Sequence, residues 1–149
     1  MKHYTLVLAL IVFAVFSSCQ KDDEPVEVFR SKEYTLRPVG SSKVSGTVTF
    51  TEKKDGTTSV LVALNNSSTD VHPAFIYYND EAKGGEVAVT LKSIDCSCQS
   101  STTEVSKLAT GIRLTYEDLL RFNGHVKVHL SDTKMETILV QGNIGSNVE

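Results

Sequence analysis

The sequence predicts an all-β protein, an antiparallel Greek-key sandwich or barrel carrying one short helix. Three observations predict it. Short runs of alternating apolar and polar residues recur along most of the chain, turn residues separate them, and a single capped helical stretch stands near the C-terminal end.

Residues 34–39 read as an edge strand closed by Pro38, which has no N–H for a ladder. Residues 44–53 are the clearest strand: Val44, Gly46, Val48 and Phe50 fall on one face, and Ser45, Thr47, Thr49 and Thr51 on the other. Lys54-Asp55-Gly56 then supplies a turn in which Gly takes positive φ. Residues 57–65 run back with Val60, Val62 and Leu64 in register, making a hairpin. Residues 65–70 are a polar loop and residues 74–78 a third strand. Gly84-Gly85 breaks the chain before Val87, Val89 and Leu91 begin a fourth. Serine-rich stretches such as Ser67-Ser68 and Ser100-Ser101 read as loops. Over residues 115–122 Thr115 caps a brief helix, with Asp118 three residues later and Leu119, Leu120 and Phe122 as its apolar side. Asn123-Gly124 is expected to end it. Strands over residues 125–131 and 135–144 close the domain, with Val126, Val128 and Leu130 facing the core and His125, Lys127 and His129 facing the other way.

The N-terminus carries an address. Lys2 and His3 precede an apolar stretch over residues 4–16, and Ser17-Ser18-Cys19 offers small residues to a signal peptidase. Phe16 stands where a lipobox usually has Leu. The stretch is too short for a permanent span of about 30 Å, so residues 1–18 read as a lipoprotein signal peptide and Cys19 as the lipidated residue. Two or more acyl chains, at roughly 0.8 kcal/mol per buried methylene, suffice for stable anchoring. Residues 19–33 read as an acidic flexible tether and residues 34–149 as one domain. The net charge is −3, and no Lys/Arg cluster is interleaved with aromatics, so nucleic acid is not expected as a partner.

Residues able to carry chemistry are few. Histidines four apart on a strand are separated by about 13 Å along it, so His125 and His129 are not a chelating pair. Each histidine of the domain, His72 included, is expected to be half-exposed with a satisfied ring nitrogen. Cys96-Ser97-Cys98 admits three readings: a strained disulfide, paired thiolate ligands for copper or zinc, or two unpaired thiols. Neither a Gly-x-Ser-x-Gly elbow, a Walker loop nor a His-Glu-x-x-His helix occurs. No catalytic residue is assigned.

Three stretches stand out together: Val44-Ser45-Gly46-Thr47-Val48, then His72-Pro73-Ala74-Phe75-Ile76-Tyr77-Tyr78-Asn79 followed by Gly84-Gly85, and a C-terminal block. That block runs from Thr115-Tyr116-Glu117-Asp118-Leu119-Leu120 through Val126-Lys127-Val128-His129 to Gln141-Gly142-Asn143-Ile144-Gly145. On these stretches residues 44–147 resemble the bacterial branch of the CHRD (chordin-type) domain family, which looks related to Cu/Zn superoxide dismutase sandwiches. Lipoproteins of this type commonly carry His-Pro-Ala-His-Ile-His, whose last two histidines are replaced here by Phe75 and Tyr77. The resemblance implies copper ligands in this neighbourhood, of which the chain keeps at most His72 and His129. Gln20 after the lipidated cysteine resembles the pattern of outer-membrane lipoproteins. The run Gln20-Lys21-Asp22-Asp23-Glu24 is similar to an acidic surface-export signal found in one Gram-negative phylum.

The expectation is therefore an outer-membrane, surface-exposed lipoprotein, held in the membrane through Cys19, whose non-enzymatic domain binds an extracellular protein or glycan or serves a structural role. No cofactor is expected. One alternative is a copper or zinc protein with a degenerate site at His72, His129, Cys96 and Cys98. Another is a carbohydrate or matrix binder using Tyr77, Tyr78 and Tyr116 as stacking surfaces.

Overall fold

A computed structural model describes residues 29–67, 70–95 and 97–148. Residues 1–18, expected to be a signal peptide, lie outside the described residues, as do Cys19, the run Gln20, Lys21, Asp22, Asp23 and Glu24, and Cys96. The strands are β1 (Ser31–Pro38), β2 (Ser45–Glu52), β3 (Thr58–Asn65), β4 (Ala74–Tyr78), β5 (Val87–Thr90), β6 (Ser100–Val105), β7 (Asn123–Ser131) and β8 (Lys134–Gly145), with the helix α1 (Tyr116–Leu120) between β6 and β7. All pair antiparallel in one sheet, β5-β4-β7-β8-β1-β2-β3-β6, which curls until it is nearly closed into a barrel. The fold is all-β, as the alternation predicts.

Its inner wall follows from that alternation. Val48 and Phe50 on β2, Val60 and Val62 on β3, Ile76 on β4, Val126 and Val128 on β7 and Val140 on β8 are all fully buried. Each contributes about 1.5–3 kcal/mol relative to exposure. The β2–β3 hairpin turns at Gly56 with φ +79°, as Lys54-Asp55-Gly56 predicts. Thr115 caps α1 reciprocally: its hydroxyl accepts the Asp118 N–H, and its own N–H donates to Asp118 Oδ2 at 2.9 Å. That exchange contributes about 1 kcal/mol.

Four expectations are corrected. β1 is not an edge strand, because it pairs with β2 along Ser31 to Leu36 and then with β8 at Arg37 and Pro38. Pro38 is tolerated as its last residue, and the next N–H, that of Val39, donates to Leu139 O. Ser31, Lys32 and Glu33 accordingly belong to the strand and not to the tether. Asn123 and Gly124 begin β7 instead of merely ending the helix. Ser100 and Ser101 open a strand, β6, that its polar composition conceals.

β6 closes the barrel by side-chain chemistry. Ser101 and Thr103 stand opposite Val62 and Val60, so their hydroxyls face inward. There the Lys92 N–H donates to Thr103 Oγ1, and Ser101 Oγ donates to Lys92 O, both at 2.8 Å. At the other end of the seam the Ala109 N–H reaches Ala88 O.

Val128 tests the inward face of β7. Val128→Asp buries a carboxyl without a partner, costing several kcal/mol, and thermal unfolding should show Tm lowered by more than about 10 °C. A Tm near that of the wild type would show that the face is wrongly assigned.

Candidate functional site

The chemistry-bearing side chains gather on the outward face of β4 and β7. Ala74 and Ile76 on β4, with Val126 and Val128 on β7, take the inward positions. Period two therefore sends Phe75, Tyr77, His125, Lys127 and His129 to the opposite face. Tyr77 lies across from His125 and stacks on it, with ring centroids 5.3 Å apart and planes 16° apart. Phe75 meets His129 edge-on at 5.8 Å. The Lys127 ammonium sits 5.2 Å from the Tyr77 ring centroid, a cation–π contact.

Hydrogen bonds set the tautomer of each histidine. A carbonyl only accepts, so a ring nitrogen bonded to one must carry the proton. His129 donates from Nδ1 to Met135 O, which leaves the Nε2 lone pair to accept the Tyr77 hydroxyl at 2.9 Å. Both nitrogens of His129 are thus engaged. His125 donates from Nδ1 to Asn79 O, and His72 from Nδ1 to Leu130 O, each at 2.7 Å. Their Nε2 atoms are buried and have no hydrogen-bond partner among the described residues.

The histidines are buried and not half-exposed: His72 and His125 are 0 % accessible and His129 is 5 %. Burial holds the pKa of His125 and His129 below the ordinary imidazole value, and Lys127 adds to the effect. Both rings are thereby biased toward the neutral form. Burial also pushes the Tyr77 phenol up, so it serves as a donor and not as a phenolate. The cover comes from sequence-distant parts. Asn79, in the left-handed region at φ +65°, gives its N–H to Asn123 O, its carbonyl to His125 and its side-chain amide to Gly84 O. The following residues are latched by the Glu81 N–H to Asn143 Oδ1 and by an Arg37–Glu81 ion pair.

The other candidates are dispersed. His72 shares the parity of inward-facing Ala74 and Ile76, so β4 and the residues leading into it place it on the face opposite His129. Cys98 is a free, exposed thiol, and its partner in the motif, Cys96, lies outside the described residues. Among the described residues no group of three or more His, Cys, Asp or Glu is arranged to hold a metal ion. The three tyrosines do not form one stacking surface either. Tyr77 faces outward, Tyr78 packs on Phe122 at 5.4 Å, and Tyr116 is buried beneath the Arg30 guanidinium. Comparison with known proteins finds no matching family model, and neither a curated protein nor a solved structure that matches the chain.

Two outcomes follow from this geometry. The unfolded chain binds protons at His125 and His129 below about pH 6.5 while the folded chain resists them. Stability is therefore full above that pH and falls as pH drops from it through the depressed folded values. Urea midpoints should be lower at about pH 5.5 than at about pH 7.5, and His129→Gln should flatten the difference; an equal slope in the variant would count against it. The depressed carboxylates of Asp80 and Asp118 act in a separate, more acidic window below about pH 3.8. Second, Phe75→His with Tyr77→His places two imidazoles beside His129 on one face. Copper or zinc affinity by calorimetry should rise at least about tenfold over the wild type, or about 1.4 kcal/mol. Tight stoichiometric binding by the wild type, unchanged in the double variant, would place a metal site elsewhere.

Proposed function

We propose that this chain is a lipid-anchored lipoprotein of the outer membrane, displayed on the cell surface, whose β-barrel domain is a non-enzymatic binding or structural module for an extracellular protein or glycan. The observation that carries the non-enzymatic reading is the closure of His129. Its two ring nitrogens are taken by Met135 O and the Tyr77 hydroxyl, so the ring offers neither a free base nor a free ligand lone pair. Phe75 and Tyr77, standing where CHRD-type lipoproteins carry a His-x-His pair, complete an aromatic cluster that holds the face together. The anchor reading is supported by Ser17-Ser18-Cys19 and the acidic run after it.

One observation favours the copper or zinc alternative. Each of the three histidines is oriented by an Nδ1–H bond to a backbone carbonyl, the arrangement that presents Nε2 to a metal, and on His72 and His125 that atom has no hydrogen-bond partner among the described residues. The sheet separates His72 from the other two, which is why the structural reading is preferred.

Anchoring is tested by labelled-palmitate incorporation in cells producing the wild type or Cys19→Ala. The wild type should be labelled and membrane-associated. The variant should be unlabelled and either unprocessed or soluble, because no other residue accepts a thioether-linked diacylglycerol. Label retained in Cys19→Ala would overturn the assignment.

A further inference from the structure

We infer that the pole of the barrel at which the chain enters β1 rests on the lipid surface, with Ile112 and Phe29 as apolar contacts and Lys53, Lys107 and Arg113 meeting anionic headgroups. The inference rests on the anchor reading for Cys19.

Three segments meet at this pole. The entering chain is held by Arg30, whose carbonyl accepts the Glu52 N–H at 2.9 Å. Its guanidinium is ion-paired to Glu52 and Glu117 and lies 5.3 Å from the Tyr116 ring centroid. The chain therefore leaves the barrel from a fixed point. Beside it is the β2–β3 turn, closed by the Lys53 N–H on Thr57 O. Next to that turn is the loop 107–113, because an Arg113 guanidinium nitrogen lies 3.1 Å from where a Cβ on Gly56 would be.

That loop is a tight, hydrogen-bonded finger. Lys107 bridges Arg113, Leu108 N–H donates to Ile112 O at 2.8 Å, and Gly111 N–H donates to Leu108 O with φ +86°. Leu108 packs against the core, so the finger is anchored from below. Ile112 is left 63 % exposed, the most exposed of the large apolar side chains described, and Phe29 is 41 % exposed. A backbone ordered by hydrogen bonds that presents a bare isoleucine between Lys107 and Arg113 matches an interfacial contact, apolar tip inward and cations at headgroup level.

Basic side chains stand around the apolar tip. Glu52 and Glu117 share the Arg30 guanidinium, and Arg121 also reaches Glu117, while Lys107 and Arg113 flank Ile112 and Lys53 stands in the neighbouring turn. The chain length fits as well. Cys19 precedes Phe29 by ten residues, which reach at most about 36 Å when fully extended, so a lipid on Cys19 keeps this pole near the surface at high effective concentration. The β7–β8 turn at Asp132 and Thr133 faces away, since β8 runs antiparallel to β1 and starts at the end where Pro38 lies.

The chain contains no tryptophan, so one introduced residue is a unique reporter. Full-length protein carrying Ile112→Trp or Thr133→Trp is purified from membranes, its acyl chains are verified by mass spectrometry, and it is reconstituted into vesicles of zwitterionic and anionic phospholipid containing brominated lipid. Ile112→Trp should show blue-shifted emission and at least about twofold stronger quenching than Thr133→Trp, and adding Lys107→Glu with Arg113→Glu should reduce that quenching. Protein that floats with vesicles but shows equal or no quenching at the two positions overturns the docking and leaves the anchor intact. Protein without acyl chains that fails to float overturns both.

Discussion

The barrel depends on the double pairing of β1. Along Ser31 to Leu36 this strand hydrogen-bonds to β2, and at Arg37 and Pro38 it crosses to β8, so the two halves of the sheet are continuous only through it. The crossing demands close approach. A Cβ on Gly142 would lie 2.3 Å from Thr35 O, so β8 needs glycine there for lack of space; on the far side of β2 a Cβ on Gly46 would likewise lie 2.5 Å from Ala63 O of β3. Leu36, at the switch between partners, is completely buried.

Continuity of the sheet in turn creates the buried outward face of β7. A strand buried on its inner side normally shows the other to water, yet here His125 and His129 are covered as well. Asn79 ties β4 to β7 from above, while the β7–β8 hairpin, irregular on both sides of His129, brings Met135 O to the ring. Two neutral imidazoles inside an aromatic cluster are costly unless their donors are met, and each Nδ1–H is met by a backbone carbonyl. The face is thus built from hydrogen-bond accounting as much as from stacking.

Local signals and distant ones divide what could be read from the amino acids alone. The β2–β3 hairpin is legible because Val48 and Phe50 alternate with threonines and Gly56 allows the turn; α1 is legible because Thr115 and Asp118 stand at capping distance. β6 is not legible. Its inward residues, Ser101 and Thr103, carry hydroxyls where a strand pattern has valines, and their purpose appears only when Lys92 arrives across the seam. Pro38 suggested an edge because a missing donor is harmless there, but it is equally harmless on the last residue of a strand paired on both sides. The positions of His125 and His129 followed correctly from alternation. Their burial did not, because it is supplied by residues 79–86 and by Met135, which no local period reveals. The bond between Tyr77 and His129 spans 52 residues, and no local pattern in the sequence announces it.

The hydroxyl seam has a bearing on how copies of this chain meet. β5 and β6 are the two ends of the strand order, the places where a sheet would otherwise offer bare N–H and C=O groups to a stranger. Here Lys92 spends both its backbone groups on Thr103 and Ser101, Ala88 accepts from Ala109, and Ser100 bridges Asp95. Where copies of a chain are concentrated they meet often, and an unguarded strand end then becomes a zipper. Groups fastened within the molecule by serine and threonine are no longer on offer to a neighbouring copy.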